Sequence, residues 1–382
     1  MEEKAVVPDS DNFYIPRVMV SDDAFNKLVK KWKDLIMSKG RYIEFIYLRT
    51  FLCLLIVLTH VFTEFTNTNE PDDLQLQVLY WIRMILIIGT PSFIILSQLL
   101  TTLNYNDKLK TGYLRTRLKY ILLPYLIMGA FYSYSESLKL NDSFLTQYTE
   151  NVIQGNWYGY FIVIIIQFFL LNWIIYRINA KILFSKWSLI ISFIINTIYL
   201  YSYQNVEPVR EFISQYYPFS PETFIIGWLF YYFLGSYVGH NYQAIKAFVT
   251  KYIALIVFLT IAAYVAFVFV GEHDYWMVSS MDYRILLYIT FAFLILINFS
   301  TQFDEFMFSS VELISRYSFF VYLLHPIILE YMFQYTSIFE EQTFIFIPIS
   351  LLFIVGCCLG IGILLREFQI FKFVMGRQPY NK

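Results

Sequence analysis

The stretch Arg49-Thr50-Phe51-Leu52-Cys53-Leu54-Leu55-Ile56-Val57-Leu58-Thr59-His60 decides the fold of this chain, because it is almost entirely apolar between a cation and an imidazole. In a helix, Arg49 and His60 lie about 16 Å apart along the axis and roughly 20° apart in azimuth, so both project from one face. The surrounding segment 42–65 is long enough to cross a bilayer. A cation inside such a span costs at least about 2 kcal/mol and therefore indicates a pathway or a site.

The whole chain has the composition of a membrane protein. Hydrophobic residues make up 58%, aromatic residues 21% and charged residues only 15%, and the mean hydropathy is +0.54. These values exclude an ordinary soluble domain and predict an all-α, polytopic integral membrane protein. The net charge of −1 gives no indication of a nucleic-acid partner. The three cysteines lie in apolar spans and suggest neither a disulfide nor a metal site.

About ten hydrophobic spans follow one another, each close to the length that a bilayer requires. The predicted spans are 42–65, 78–103, 118–138, 157–178, 183–203, 222–242, 252–271, 282–299, 314–334 and 343–365. They define a membrane domain at 41–366, preceded by a cytoplasmic segment at 1–40 and followed by a cytoplasmic tail at 367–382. The N-terminal segment contains a basic amphipathic helix at 21–39, typical of a helix that lies on an anionic membrane surface or packs on the protein itself. It has no signal-peptide pattern, so no cleavage is expected.

The distribution of Lys and Arg predicts the orientation. These residues concentrate before the first span, in the loops after the second and fourth spans, and after the last span. The alternate loops are acidic instead. Because cytoplasmic loops carry the excess of positive charge, this alternation predicts an even number of spans with both termini in the cytoplasm.

Titratable residues concentrate near the outer ends of the first three spans. Glu64 lies one helical turn beyond His60, Arg83 enters the second span at about the depth of His60, and Glu136 closes the third span. Because lipid excludes such groups unless they line a cavity, they predict a polar site in the outer half of the membrane. The alternatives are that His60 is a hydrogen-bonded packing histidine and that Arg83 and Glu64 form an interfacial ion pair.

A second cluster of charges lies on the cytoplasmic side, at Arg115, Arg117 and Lys119. Arginine forms bidentate hydrogen bonds with phosphate oxygens, and two arginines one residue apart can span a diphosphate. The cluster therefore predicts a phosphate site, although the positive charge of cytoplasmic loops also accounts for it.

The ninth span carries Tyr322, His325 and, further out, Glu330. Pro326 follows the histidine directly and leaves a helical carbonyl without its N–H donor. With Glu136, these three residues are predicted to bind substrate or to support the site. The alternative is a kinked helix that contains a satisfied histidine.

Four segments together resemble the membrane acyltransferase 3 superfamily. The matching segments are Arg49 and His60 with ten residues between them, 89–93 with Ser97 and with Gln98 where a glycine is usual, 115–117 with Pro124 and Tyr125, and 318–326. They cover nearly the whole predicted membrane domain. Three further segments, 97–105, 132–137 and 365–368, are similar to a member of this superfamily that acts in the synthesis of a biofilm polysaccharide, poly-β-1,6-N-acetylglucosamine.

The resemblance implies O-acyl transfer across a bacterial cell membrane. The donor substrate would be a cytosolic acyl-CoA, here succinyl-CoA, with no tightly bound cofactor, and the acceptor would be the polysaccharide. The synthase encoded in the same operon is a further expected partner. Arg115, Arg117 and Lys119 would hold the nucleotide phosphates of the donor.

The outer residues then have expected roles in the transfer. Arg49 would guide or polarise the thioester, and His60 would act as general base on a sugar hydroxyl or carry the acyl group itself. Glu64 would orient the imidazole ring. Arg83 would stabilise the oxyanion or bind the succinyl carboxylate.

An exporter or flippase of the polysaccharide is the alternative function. A polymer conduit needs hydrogen-bonding and aromatic groups through the full depth of the membrane, whereas these charges occupy two separate levels. The two levels favour a narrow donor tunnel, and the sequence contains neither an ATPase motif nor a clear inverted repeat. A third hypothesis, a scaffold for the synthase without chemistry of its own, leaves Arg49 unexplained.

Overall fold

The computed structural model describes residues 42–69, 72–105, 107–270, 275, 279–303, 306–335 and 343–376. Within these residues the chain forms helices and no strand. The α-helices, in chain order, are α1 (Glu44–Asn69), α2 (Asp73–Leu86), α3 (Gly89–Asn104), α4 (Tyr113–Arg117), α5 (Leu123–Leu140), α6 (Phe144–Tyr148), α7 (Tyr160–Ile178), α8 (Lys181–Phe184), α9 (Lys186–Asn205), α10 (Glu207–Tyr216), α11 (Leu229–His240), α12 (Tyr242–Lys251), α13 (Ile253–Val270), α14 (Leu286–Ser300), α15 (Phe308–Tyr335), α16 (Thr343–Arg366) and α17 (Lys372–Met375). The amphipathic helix predicted at 21–39 and residues 377–382 of the predicted tail lie outside the described residues.

The fold class predicted from the sequence is confirmed, since every predicted span contains a helix. In the described residues, 6 helices are long and apolar enough to cross a membrane, or up to 7 when α12 and α13, bent by 85°, count as one span. Several other helices are too short or too polar to meet this test, such as α11 with 12 residues. The count of about ten spans and the cytoplasmic location of both termini stay predictions.

The second predicted span is divided into two helices. α2 ends at Leu86 and α3 begins at Gly89, which is followed by Pro91. A Cβ at Gly89 would lie 3.0 Å from Cγ1 of Ile56, so the start of α3 packs closely on α1. The break therefore occurs where the two backbones approach each other, close to the site described below.

Two glycines let α11 lie directly on α3. A Cβ at Gly235 would be 2.4 Å from the carbonyl oxygen of Ile95, and a Cβ at Gly239 would be 2.5 Å from that of Leu99. Glycines four residues apart form a flat strip on a helix, and such strips allow close backbone approach between membrane helices. The pairing of α3 with α11 depends on this strip.

A buried polar cluster joins α3, α7 and α11. Gln98 and Asn172 exchange two amide hydrogen bonds of 2.9 and 2.8 Å. Gln98 also donates to Ser236 at 2.9 Å, and Tyr232 donates to Asn172 at 2.9 Å. Because each amide finds partners, the cluster ties three apolar helices together without leaving buried polar groups unsatisfied.

The helix α1 lies at the centre of the bundle. It packs against α2, α3, α14, α15 and α16, and Leu48, Leu52, Val57 and Val61 on it are fully buried. At its first turn, Glu44 accepts hydrogen bonds from Tyr242 at 2.9 Å and from Lys246 at 2.7 Å. This central position gives the polar side chains of α1 protein neighbours instead of lipid.

Candidate functional site

His60 lies between two rings from other helices. The Tyr158 ring, just before α7, meets it edge-on, with ring centroids 4.7 Å apart and an angle of 86°. The His325 ring of α15 lies on it at 5.1 Å and 43°. His60 is half-buried and faces protein groups. The structure therefore places it inside the bundle, where α1, α7 and α15 meet.

The helix α15 holds this arrangement through two further contacts. Tyr322 donates a hydrogen bond of 2.6 Å to the backbone carbonyl of Tyr158, which fixes the backbone that carries the Tyr158 ring. His325 is fully buried, and its Nδ1 lies 3.0 Å from the carbonyl oxygen of Val321. Tyr322 and His325 are one turn apart on α15, so a single face of that helix positions both neighbours of His60.

A cavity of about 280 Å³ opens beside His60. Its wall includes His60, Arg83, Tyr158 and Tyr322. The residues that complete the lining are Ile56, Thr59, Thr63, Leu86, Ile87, Thr90, Tyr160, Ser279 and Ser280. An imidazole and a guanidinium thus face one small space that also has hydroxyl groups. A volume of this size is close to the lower end of small-molecule pockets, which are roughly 300–1,000 Å³.

Arg83 is held in place by Tyr275. Its Nη1 donates to the carbonyl oxygen of Tyr275 at 3.3 Å, and its guanidinium lies over the Tyr275 ring at 4.5 Å from the centroid. A carbonyl and an aromatic face both favour the charged guanidinium but do not neutralise it. Arg83 therefore presents a positioned cation to the cavity.

The predicted carboxylates gather beside this cavity. Glu136 accepts a hydrogen bond from Asn151, and Glu330 forms an ion pair with Lys139. With Tyr132 and Leu140 they line a second space of about 120 Å³. Glu64 is close enough to Lys139 and Tyr158 for electrostatic interaction, and it does not line the His60 cavity.

Arg49 and the basic residues predicted on the cytoplasmic side lie apart from this cavity. Arg49 and Arg117 are close enough to interact electrostatically, and the Arg117 guanidinium lies 5.1 Å from the centroid of the Phe169 ring. Arg115 and Lys119 are exposed. None of these four residues lines the cavity at His60, and the lining residue of α1 that comes nearest to Arg49 along the chain is Ile56. Seven residues of helix, about 10 Å, separate Ile56 from Arg49.

Sequence reasoning missed Tyr158, whose ring packs edge-on against the His60 ring. The backbone around it is fixed by Trp157, which donates to the Tyr125 hydroxyl at 3.1 Å, while Tyr125 donates to the Val152 carbonyl at 2.7 Å. The Tyr132 ring packs against both Trp157 and Tyr158, at 5.3 and 6.3 Å. The available signal was the aromatic run 157–160 at the start of the fourth predicted span.

Comparisons with known proteins point to one family. The chain matches an acyltransferase domain over residues 42–363. It is 48% identical over 346 residues to a protein of Staphylococcus aureus (strain MSSA476) called "probable poly-beta-1,6-N-acetyl-D-glucosamine export protein", covering 90% of this chain and 98% of that one. A protein of the same description from Staphylococcus epidermidis is 50% identical over 346 residues, covering 90% of this chain and 97% of that one. No solved structure matches the chain.

Proposed function

Because the chain belongs to the acyltransferase domain family, whose match spans residues 42–363, we propose that it is a membrane O-acyltransferase acting on an extracellular polysaccharide. The chain is a multi-pass bacterial membrane protein. In this proposal the donor is a cytosolic acyl-CoA, namely succinyl-CoA. The acceptor is a hydroxyl of poly-β-1,6-N-acetylglucosamine at the outer face. The observation that carries the proposal is His60 in the wall of a cavity that it shares with Arg83.

His60 supplies the proton transfer. Its ring accepts the proton of the sugar hydroxyl while the hydroxyl oxygen attacks the thioester carbonyl carbon. The resulting oxyanion needs a positive partner, and the Arg83 guanidinium faces the same cavity. When the C–S bond breaks, the leaving thiolate takes the proton from the imidazolium. The products are the sugar ester and free CoA.

The acyl-CoA donor enters at the basic cluster that is predicted to lie on the cytoplasmic side. Arg115, Arg117 and Lys119 bind the phosphates of CoA, as guanidinium and ammonium groups do in phosphate sites. Arg49 is the next cation inward on α1 and lies near Arg117. It guides the thioester along α1 toward His60, and the buried side chains between Ile56 and Arg49 have to move aside for the pantetheine arm. This movement is part of the proposal.

The carboxylates beside the cavity serve the acceptor. Glu136 and Glu330 lie with Tyr132 around the neighbouring space, and carboxylates on an aromatic surface suit the hydroxyls and the apolar face of a sugar ring. Glu64 follows His60 by one helical turn on α1, and in this proposal it orients the His60 ring. The polysaccharide synthase of the same operon would supply the acceptor.

Two substitutions in cells that make the polymer test this function. We expect His60→Ala and Arg115→Ala to leave polymer on the surface while its O-acyl content falls by roughly 10²-fold for His60→Ala, because general base catalysis contributes about 10²–10⁴-fold. Mass spectrometry of the purified polymer measures the acyl content. The matched controls are His240→Ala, whose ring stacks on Phe184 at 4.1 Å, and Arg177→Ala, whose guanidinium stacks on Trp173 at 3.6 Å.

Polymer export is the second candidate function, because the relatives from both staphylococci carry that description. A cavity of about 280 Å³ suits one acyl group and one hydroxyl better than a conduit for a chain of sugars. If His60→Ala abolished surface polymer while the acyl content of the remaining intracellular polymer stayed normal, export would replace transfer as the assignment.

A further inference from the structure

One buried ring nitrogen at the site has no hydrogen-bond partner among the residues that the structure describes. It is Nε2 of His325, a side chain with 0% exposure. The other ring nitrogen, Nδ1, lies 3.0 Å from the carbonyl oxygen of Val321. A carbonyl only accepts hydrogen bonds, so Nδ1 must carry the proton in this contact. In the neutral ring, Nε2 is then unprotonated and can accept a hydrogen bond.

The neutral ring is the form that the surroundings favour. A protonated His325 would place a second N–H in the membrane interior, again without a partner, and would add a charge that lipid and apolar helices disfavour. Pro326 supports the same geometry, because it has no N–H and so leaves a carbonyl of the preceding turn without its helical donor. The carbonyl four residues before Pro326 is that of Tyr322, next to the Val321 carbonyl that Nδ1 of His325 contacts.

The neighbour that can supply a donor is His60. Its ring centroid lies 5.1 Å from that of His325, with 43° between the two ring planes, and a hydrogen bond forms when the His60 ring turns a nitrogen toward Nε2. A neutral imidazole always carries one N–H. The Tyr158 ring packs edge-on against the His60 ring, with the two centroids 4.7 Å apart.

We propose that His325 is a positioning residue that selects the tautomer of His60. After a rotation of the His60 ring, Nε2 of His325 accepts the N–H of His60, so that the other nitrogen of His60 is unprotonated and faces the cavity. The proposal rests on the proposed function in one respect, since the bare nitrogen is the general base for the sugar hydroxyl. The tautomer itself can be observed without any reaction.

The proton balance of the transfer follows from this arrangement. The bare nitrogen of His60 takes the hydroxyl proton as the C–O bond forms, and both nitrogens of His60 then carry protons. One of them remains donated to His325, which stabilises the imidazolium without removing its proton. The other is returned to the thiolate of CoA as the C–S bond breaks, and His60 regains its first tautomer.

Kinetics of variants in lipid nanodiscs test the catalytic consequence. We expect His325→Phe, which fills the space without an acceptor, to lower kcat for acyl transfer by roughly 10²-fold, with the KM values of donor and acceptor within about 2-fold of the wild type. His325→Gln keeps an acceptor near the Nε2 position and should retain a larger share of kcat. The control His240→Phe should match the wild type. Wild-type kcat in His325→Phe, or a loss confined to KM, would overturn the proposal.

Nitrogen NMR of ¹⁵N-histidine-labelled protein tests the tautomer directly. The chain has only 4 histidines, so the His60 signals are assigned by their loss in His60→Ala. We expect wild-type His60 to show one protonated and one bare nitrogen in a single tautomer, and His325→Phe to show a mixture. A mixture already present in the wild type would contradict the proposal, and this measurement needs no variant of His325 to fold. If instead no acyl-CoA supports transfer while the single tautomer is seen, only the proposed function fails.

Discussion

At the scale of single residues, a substitution of Arg83 tests which acyl group is transferred. Its guanidinium faces the His60 cavity and is not neutralised by Tyr275, so it can bind a carboxylate. We expect Arg83→Gln to lower kcat/KM with succinyl-CoA at least about tenfold more than with acetyl-CoA, because a hydrogen bond to a charged group contributes about 1.5–3 kcal/mol. Measuring both donors with the purified protein gives the ratio.

The control for this experiment is Arg210→Gln, an exposed arginine on α10 that is predicted to lie on the same side of the membrane. Equal losses with both donors would show that Arg83 acts on the oxyanion and not on the succinyl carboxylate. In that case the acyl group would have to be identified from the polymer itself.

The residue scale also shows what a sequence pattern can and cannot reveal about the site. A cation and an imidazole on one face of an apolar helix are visible in the sequence, because helical periodicity alone determines the face. Tyr158 could not be assigned in this way, because it lies just before α7, where no periodicity applies. Its contact with His60 results from the hydrogen bond of Tyr322 to its carbonyl, which joins two distant helices.

At the scale of helices, the glycine strip of α11 should control stability. We expect Gly239→Ala to destabilise the protein by roughly 1–3 kcal/mol, because the new Cβ would meet Oγ1 of Thr102 at 2.1 Å and the backbone of Leu99. Thermal unfolding in detergent micelles, followed by circular dichroism, measures the change. Gly356→Ala on α16 is the matched control, since no other described part of the chain lies within 4 Å of its Cβ position.

The control has an expected sign of its own. Alanine at an open helical position removes conformational freedom from the unfolded chain and should stabilise by about 0.4–1 kcal/mol. If Gly239→Ala were as stable as Gly356→Ala, α3 and α11 would be able to move apart. The close contact between them would then not contribute to the stability of the protein. Sequence alone shows the two glycines but not which helix they face.

At the scale of the whole molecule, the orientation of the spans is open to a direct test. In a version with the native cysteines replaced by alanine, we expect Thr146→Cys to react with a membrane-impermeant thiol reagent in intact cells. Lys110→Cys should react only after the membrane is permeabilised. The charge of the loops predicts this difference, since the loop that carries Lys110 is basic.

Both positions are exposed, so lack of reaction cannot be attributed to burial. If both cysteines were labelled in intact cells, positions 110 and 146 would lie on the same side of the membrane. The predicted alternation, and with it the assignment of an outer face to His60, would then have to be abandoned.

The sequence by itself determined that this chain is an all-helical membrane protein and that its charges form two separate levels. It also revealed the resemblance that the family match confirmed. These properties are local, because hydropathy, loop charge and helical period depend only on neighbouring residues. Only the tertiary structure decided that His60 lies between Tyr158 and His325 and shares a cavity with Arg83, because contacts between distant helices depend on which faces pack together.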